Sequence, residues 1–370
     1  GDDTHYTVTG DSVNLASRLT DAAAPGETLI SVRVQHAVSQ AVEATHRGDI
    51  TIKGFSEPIP AYVLKGLREH AMSETASPFV GRETELRQFT SALTACMETS
   101  TGQVIYIRGE AGIGKTHLTE EIVRIATEQG FDCHRTLVLD FGVGKGQGAI
   151  HALVRSLLSI PSGSGKAVRA NAAEHMFATG ILDRRQTMYL NDFLDLPQPP
   201  ELHSIFEAMD NAVRNEGKRE TLAALIRAQS EQRPTLLIVE DLHWADSTVV
   251  EQLAGLTQSI ENSRVILTMT SRFEGDPLNQ TWRLSTTATP FMTIDLRPLR
   301  PDDAMRLAAG FIDINREFAI KCLDRAGGNP LFLDQLLRSA EERGEEGVPD
   351  SVQSVIQARI DSLDDFDKQA

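Results

Sequence analysis

Along the first 67 residues the apolar positions come in short runs broken by turn signals. Tyr6-Thr7-Val8-Thr9-Gly10, Thr28-Leu29-Ile30-Ser31 after Pro25-Gly26, and Ile50-Thr51-Ile52-Lys53-Gly54 read as strands. Between them, residues 12–24 space Val13, Ala16 and Leu19 along one helical stripe, and residues 32–41 make a second helical run. The pattern predicts a small α+β unit over residues 1–67. Residues 68–78 are polar, carry no period and end at Pro78, the composition of a linker.

From residue 79 onward the period changes. Near-continuous apolar runs at 103–107, 133–139, 235–239, 264–269 and 291–296 alternate with helical segments, as expected of a parallel sheet covered on both faces. Residues 79–298 are therefore read as a doubly wound α/β core. Inside it, residues 161–217 turn irregular, with Pro197, Pro199 and Pro200 after an apolar stretch, and are read as a helical insertion. Helical periodicity at 302–312, 316–326 and 331–343, resuming near 351–363, predicts a helical lid over residues 299–370, with the acid-rich stretch from Glu341 as a solvated helical surface.

Composition narrows the function classes. A chain of 370 residues with 41% apolar and 24% charged positions is globular, and at about 150 residues per domain it holds two to three domains. The 36 basic residues stand against 52 acidic ones, a net charge of −16 that repels nucleic-acid backbones and anionic lipid. Cys96, Cys133 and Cys322 lie too far apart for a zinc knuckle or a disulfide framework, which predicts a reducing, cytoplasmic compartment. No apolar run reaches the ~18 residues of a membrane span. The chain opens Gly1-Asp2-Asp3 without an initiator methionine and stops soon after a helical pattern, so it reads as a piece of a longer protein.

The strongest chemical signal is Gly109-Glu110-Ala111-Gly112-Ile113-Gly114-Lys115-Thr116, which satisfies G-x-x-x-x-G-K-[ST] between an apolar strand and a helical run. Gly109, Gly112 and Gly114 let the loop, with Ile113, bend its amide hydrogens onto phosphate oxygens at a helix N-terminus. Lys115 reaches the β and γ phosphates, and the Thr116 hydroxyl reaches magnesium. Gly142-Val143-Gly144-Lys145-Gly146 and Gly163-Ser164-Gly165-Lys166-Ala167 imitate the motif without its hydroxyl and are read as flexible loops. A phosphate cradle also needs an acid at the end of a neighbouring strand. Glu240 and Asp241, after Leu236-Leu237-Ile238-Val239, supply two candidates for magnesium and for the attacking water, and their division of labour stays open. Asp246 is the expected N-cap of the run from Ser247. His243 and Trp244 are read as helix-start packing.

Glu240-Asp241-Leu242-His243-Trp244-Ala245-Asp246, with Phe79-Val80-Gly81-Arg82-Glu83 ahead of the first core strand and Gly327-Gly328-Asn329-Pro330-Leu331-Phe332 in the lid, resembles the signal-transduction ATPases called STAND, a branch of AAA+ proteins. The likeness covers roughly residues 79–363. It implies an ATP-binding P-loop NTPase core in which Val80, Gly81, Arg82 and Pro330 flank the adenine and couple the lid to nucleotide state. Thr270-Ser271-Arg272 looks like the family's sensor, with Arg272 reading the γ-phosphate. Members of this family act as nucleotide-driven switches with slow hydrolysis.

The first unit carries a second likeness. Gly10-Asp11-Ser12-Val13-Asn14-Leu15-Ala16-Ser17-Arg18 places an amide and a guanidinium at i and i+4 on one helical face, suited to steadying a ribose and a charged phosphate. With Tyr6-Thr7-Val8 before it, and Pro25-Gly26-Glu27-Thr28-Leu29-Ile30-Ser31 and Ile52-Lys53-Gly54-Phe55 after it, residues 3–66 resemble the C-terminal part of class III adenylyl/guanylyl cyclase catalytic domains. The resemblance implies that Asn14 and Arg18 stabilise the transition state, that Lys53 holds pyrophosphate and that Thr7 reads the purine. A polar Thr7 is compatible with ATP, so cyclic AMP is favoured. It also implies a homodimer through the cyclase domain. The family's two metal-binding aspartates precede the matched segment, so the chain by itself is expected to be inactive as a cyclase.

Together these readings describe a cyclase fused to a STAND-type ATPase. ATP and Mg2+ are its cofactors, domains beyond residue 370 sense a protein or ligand, and neither nucleic acid nor membrane is a partner. Two alternatives stand beside it. One is a switch or scaffold with a degenerate cyclase module; the other is a nucleotide-switched transcription activator, which would need a DNA-binding module after Ala370.

Overall fold

The computed structural model describes residues 11–24, 27–38, 42–51, 58–67, 79–139, 147–161, 163–278, 282, 289–311 and 316–343. The predicted linker at 68–78, the strand at Tyr6 to Gly10 and the helix at 351–363 lie outside them. The chain divides into two compact units, one of Gly1–Phe79, Pro301–Gly327 and Phe332–Ala370 and one of Val80–Arg300 and Gly328–Leu331.

In the first unit, α1 (Asp11–Ala22), β1 (Leu29–Ser31), α2 (Val32–Val38), β2 (Val42–Ile50) and β3 (Ile59–Leu67) form a small α+β layer. Its antiparallel sheet runs β1-β3-β2. Leu19 and Ala61 make its buried centre, with Leu15, Leu29, Ile50 and Ile59 packed around them. The apolar stripe of α1 thus runs through Leu15 and Leu19, whereas Ala16, assigned to it from the sequence, is exposed. Strands β2 and β3 have no counterpart in the expected pattern. β2 is largely exposed, and its register slips between Glu43 and Ala44 and again between His46 and Gly48, which erases the period-two signal.

In the second unit, α3 (Glu83–Thr99) precedes β4 (Gln103–Arg108), α4 (Lys115–Glu128), β5 (Asp132–Leu137) and α5 (Gln147–Leu157). The irregular stretch is helical, holding α6 (Lys166–Ala178), α7 (Thr187–Phe193), α8 (Pro200–Ala208) and α9 (Asn211–Gln232). The second Gly-rich lookalike is not all loop, since Lys166 opens α6 with Gly165 as its N-cap. β6 (Thr235–Glu240), α10 (Ser247–Ser259), β7 (Val265–Ser271) and β8 (Phe291–Asp295) complete the core. As expected, Asp246 caps α10 by accepting from the Val249 amide at 2.9 Å.

The five-stranded sheet has the order β5-β6-β7-β4-β8 and every pairing in it is parallel. β6 and β7 are buried at every residue, which is why they read as near-continuous apolar runs. The fold is a doubly wound parallel α/β core preceded in the chain by a small α+β unit. From β4 the chain crosses to β5 at one edge, and β8 later fills the other side of β4. The C-terminal ends of β4, β7 and β6 therefore border the crevice where such sheets bind ligands.

Gly102 shows how tightly this core closes. A Cβ there would stand 2.2 Å from the backbone carbonyl oxygen of Ile260, and the Gly102 amide donates to Glu261 O at 3.0 Å. Gly102→Ala is expected to cost about 1–3 kcal/mol through overpacking, lowering Tm by about 2–4 °C per kcal/mol. A melting curve that overlays the parent's would show that the β4 entrance can relax.

The remaining helices are α11 (Pro301–Ala308), α12 (Arg316–Ala326) and α13 (Pro330–Arg343). α11 lies against α12. Cys96 and Cys322 are buried free thiols and Cys133 is a half-buried one. Burial pushes the Cys96 thiol up to about 11. Among the described residues no helix is long and apolar enough to cross a membrane.

Candidate functional site

The loop between β4 and α4 is assembled as the motif requires. Gly112 and Gly114 take φ of 73° and 97°, so the chain reverses and α4 begins at Lys115 with Gly114 as its N-cap. The first amides of α4 and the positive end of its dipole meet at the loop. Lys115 is buried, and its ammonium donates to the carbonyls of Gly109 and Glu110, both at 2.9 Å. Burial lowers its pKa from the ordinary value; the carboxylate of Asp241 opposes that shift and the charge of Arg272 adds to it. Lys115, Asp241 and Arg272 thus share one electrostatic environment although they come from three elements. Thr116 is exposed at the second position of α4, and Ile113 is buried.

The two acids after β6 diverge. Glu240 is 4% exposed, and one carboxylate oxygen takes the Nε–H of Arg135 on β5 while the other accepts from Thr119 Oγ1 of α4 at 3.3 Å. Asp241 leaves the strand with φ 59°, a left-handed conformation that aspartate enters more readily than most residues. Its amide donates to Thr270 Oγ1 at 3.1 Å and its side chain is 39% exposed. Glu240 therefore ties strands β5 and β6 to α4, while Asp241 is the acid whose charge reaches Lys115. Sequence reasoning missed Arg135 and Thr119, which no motif marks and only strand pairing and helix packing bring to Glu240.

Two further segments close on the loop. Gly81 and Arg82 both have φ of 68°, a paired left-handed turn at the start of α3. From it Arg82 reaches the carbonyl of Ile113 at 3.0 Å and the carboxylate of Glu85 at 3.4 Å. Val80 is half-buried beside a buried Gly81. On the other side, Asn329 Nδ2 donates to Ala111 O at 3.0 Å, and the Leu331 amide donates to Gly112 O at 3.3 Å. A Cβ on Gly112 would stand 2.9 Å from Leu331 Cβ, and one on Gly114 would stand 3.7 Å from Pro330 Cγ. The glycines thus admit both the turn and the residues packed over it. Asn329 belongs to the quoted Gly-Gly-Asn-Pro-Leu run yet was not among the expected site residues.

The strand before Arg272 is joined to the loop. Ser271 O accepts from the Gly109 amide at 3.2 Å, so the end of β7 is fastened both to the first loop residue and, through Thr270, to Asp241. Arg272 itself is exposed. Leu242–Trp244 forms one 3-10 turn in which the His243 side chain is buried and Trp244 is 38% exposed, so packing at the helix start accounts for the histidine better than for the tryptophan.

The donor set fits a nucleoside triphosphate with magnesium. It offers a glycine cradle that a Cβ would fill, a buried ammonium, an exposed threonine hydroxyl and a half-exposed aspartate. Among the described residues no group of three or more His, Cys, Asp or Glu could hold a metal alone.

Of the cyclase-like residues, Asn14 and Arg18 are both on α1, keeping their i, i+4 spacing. Arg18 is exposed, 3.7 Å from Asp21, a pairing of small energetic worth. Thr7 and Lys53 lie outside the described residues, as does the side chain of Asn14.

Comparison with known proteins agrees with both halves. Residues 78–268 match the family model of the AAA ATPase domain. Residues 2–66 match that of the adenylate and guanylate cyclase catalytic domain. An uncharacterized protein of Rhizobium meliloti (strain 1021) is 26% identical over 347 residues, 90% of this chain and 32% of that protein. Adenylate cyclase type 10 of Mus musculus is 21% identical over 350 residues, 91% of this chain and 21% of that protein. The chain thus spans about a third or less of the length of the curated relatives it matches. Among solved structures, a Signal Transduction ATPase with Numerous Domains with a tetratricopeptide repeat sensor, from Pyrococcus horikoshii, aligns at 17% identity with a TM-score of 0.42, covering 78% of this chain and 33% of that one.

Proposed function

The chain belongs to the AAA ATPase domain family, with part of a cyclase catalytic domain ahead of it, and from that premise we propose that it is the ATP-binding switch segment of a longer signalling protein whose cyclase makes cyclic AMP from ATP. The observation that carries the switch is the bonding of Asn329 and Leu331 to the carbonyls of Ala111 and Gly112. Phosphates entering the loop would act on the same four-residue turn to which the start of α13 is fastened.

The roles follow from the geometry. Amides of residues 109–116 and the Lys115 ammonium bind the triphosphate, Lys115 exchanging its loop carbonyls for phosphate oxygens. Thr116 and Asp241 would hold magnesium, which supplies charge neutralisation on the phosphates. Asp241 also stands where an attacking water can be oriented, and Glu240 keeps β6 and α4 in place beneath it. Arg272 approaches the γ-phosphate from the end of β7. Val80, Gly81, Arg82 and Pro330 border the loop as a base-side wall. In the cyclase part, Asn14 and Arg18 stabilise charge during attack on the α-phosphate, Lys53 holds pyrophosphate and Thr7 reads adenine. Dimerisation through this part, a stimulus sensed by further domains and a cytoplasmic setting for the free thiols complete the reading.

The test uses the longer protein. Arg18→Ala is expected to lower cyclic AMP production by about 100-fold or more, the worth of a lost transition-state donor, while ATP hydrolysis by the larger domain stays at the parental rate. Parental cyclic AMP output in this variant would remove Arg18 from the cyclase site and favour a module kept only as a scaffold.

A further inference from the structure

Trp244 and Arg272 are exposed side chains on backbone that is held from several directions. The turn bearing Trp244 follows Asp241, whose amide is fastened to Thr270 Oγ1. The segment after Arg272 returns against that turn, since a Cβ on Gly275 would lie 3.7 Å from His243 Cβ. Asp276 then anchors it to β4, accepting from Tyr106 OH at 2.5 Å and from Arg108 Nη1 at 3.1 Å. Between these fixed points the Arg272 guanidinium lies 5.8 Å over the Trp244 ring, within the distance at which an indole face attracts a cation. The buried His243 ring sits 4.8 Å from the same indole at an interplanar angle of 40°, which restricts how the indole can turn.

We propose that Trp244 is a positioning residue for Arg272: its indole face holds the guanidinium at the border of the phosphate loop, and the γ-phosphate of ATP draws the cation off the ring, whereas ADP leaves it there. The inference rests on the reading of residues 109–116 as a nucleotide site. The chemistry is an exchange of one cation partner for another. An indole attracts a cation strongly enough to orient it but far more weakly than a phosphate does, so Arg272 is presented without being withheld. The charge of Arg272 already acts on Lys115, which places it within reach of the same ligand.

The experiment compares the parent, Trp244→Ala, Trp244→Phe and Arg272→Ala by calorimetric titration with ADP and with a non-hydrolysable ATP analogue. Trp244→Ala is expected to widen the ratio of analogue to ADP affinity by about two- to five-fold, because the analogue no longer has to break an exposed cation–π contact that ADP leaves in place. Its ADP affinity should remain parental, and Trp244→Phe should bring the ratio most of the way back to the parental one. The chain has two tryptophans, so the emission of Trp244 is read as the parent spectrum minus that of Trp244→Phe. It should differ between analogue and ADP, and the analogue-induced change seen in the parent should vanish in Arg272→Ala. A parental affinity ratio in Trp244→Ala, or Trp244 emission blind to the γ-phosphate, overturns the role while leaving the nucleotide site intact. Absence of binding by the parent overturns the nucleotide reading and this inference with it.

Discussion

Lys115→Ala is expected to lower the affinity of the larger domain for ATP by roughly 100-fold or more, because it removes the buried cation around which the loop closes. Charge-assisted bonds to an anion are worth about 1.5–3 kcal/mol each, and two of them lost together correspond to about two decades or more in Kd. Lys115 donates to two loop carbonyls in this structure, so its removal also leaves Gly109 and Glu110 to other partners. Melting curves should therefore accompany the calorimetric titration. Lys115→Arg tests whether a cation of different shape recovers affinity, which a purely structural loss would not predict. Parental affinity in Lys115→Ala, in a protein that melts normally, would place the triphosphate elsewhere.

Asp241→Asn carries the second large effect. Single-turnover hydrolysis of bound ATP is expected to fall by about 10²–10³, the usual consequence of removing one preorganised electrostatic group from a reacting centre. Affinity for ATP measured without magnesium should change little, while the gain in affinity on adding magnesium should shrink. Glu240→Gln should behave differently, because Glu240 is spent on Arg135 and Thr119: its main cost should appear as a lower Tm, with the magnesium effect kept. If the magnesium effect disappears in Glu240→Gln and persists in Asp241→Asn, the roles assigned to the two acids are reversed.

The parts of this fold legible in the sequence were those whose signal is local or whose burial is complete. β6 and β7 are buried on both faces, so apart from Glu240 at the end of β6 every residue is aliphatic, methionine, threonine or serine and no alternation needs decoding. The N-cap at Asp246 is a contact three residues long. β2 escaped because an exposed strand with two register slips against its partner β3 has no fixed period. The stripe of α1 shifted by one position, from Ala16 to Leu15, because a small side chain scores as apolar whether or not it faces the sheet.

The chain alone determined the phosphate loop, since its glycines, lysine and threonine are adjacent and each is required by backbone geometry or charge at a single place. It determined too that a parallel core follows a smaller α+β unit, because apolar run lengths record burial directly. Which carboxylate points toward the loop was a tertiary decision. Glu240 and Asp241 are neighbours, and what separates them is an arginine from β5, a threonine from α4 and a left-handed turn. The closing of Arg82 and Asn329 onto the loop was likewise decided in three dimensions. Hydrogen bonds of that kind join residues 31 and 218 positions apart, and such distances leave no period or spacing in a linear text.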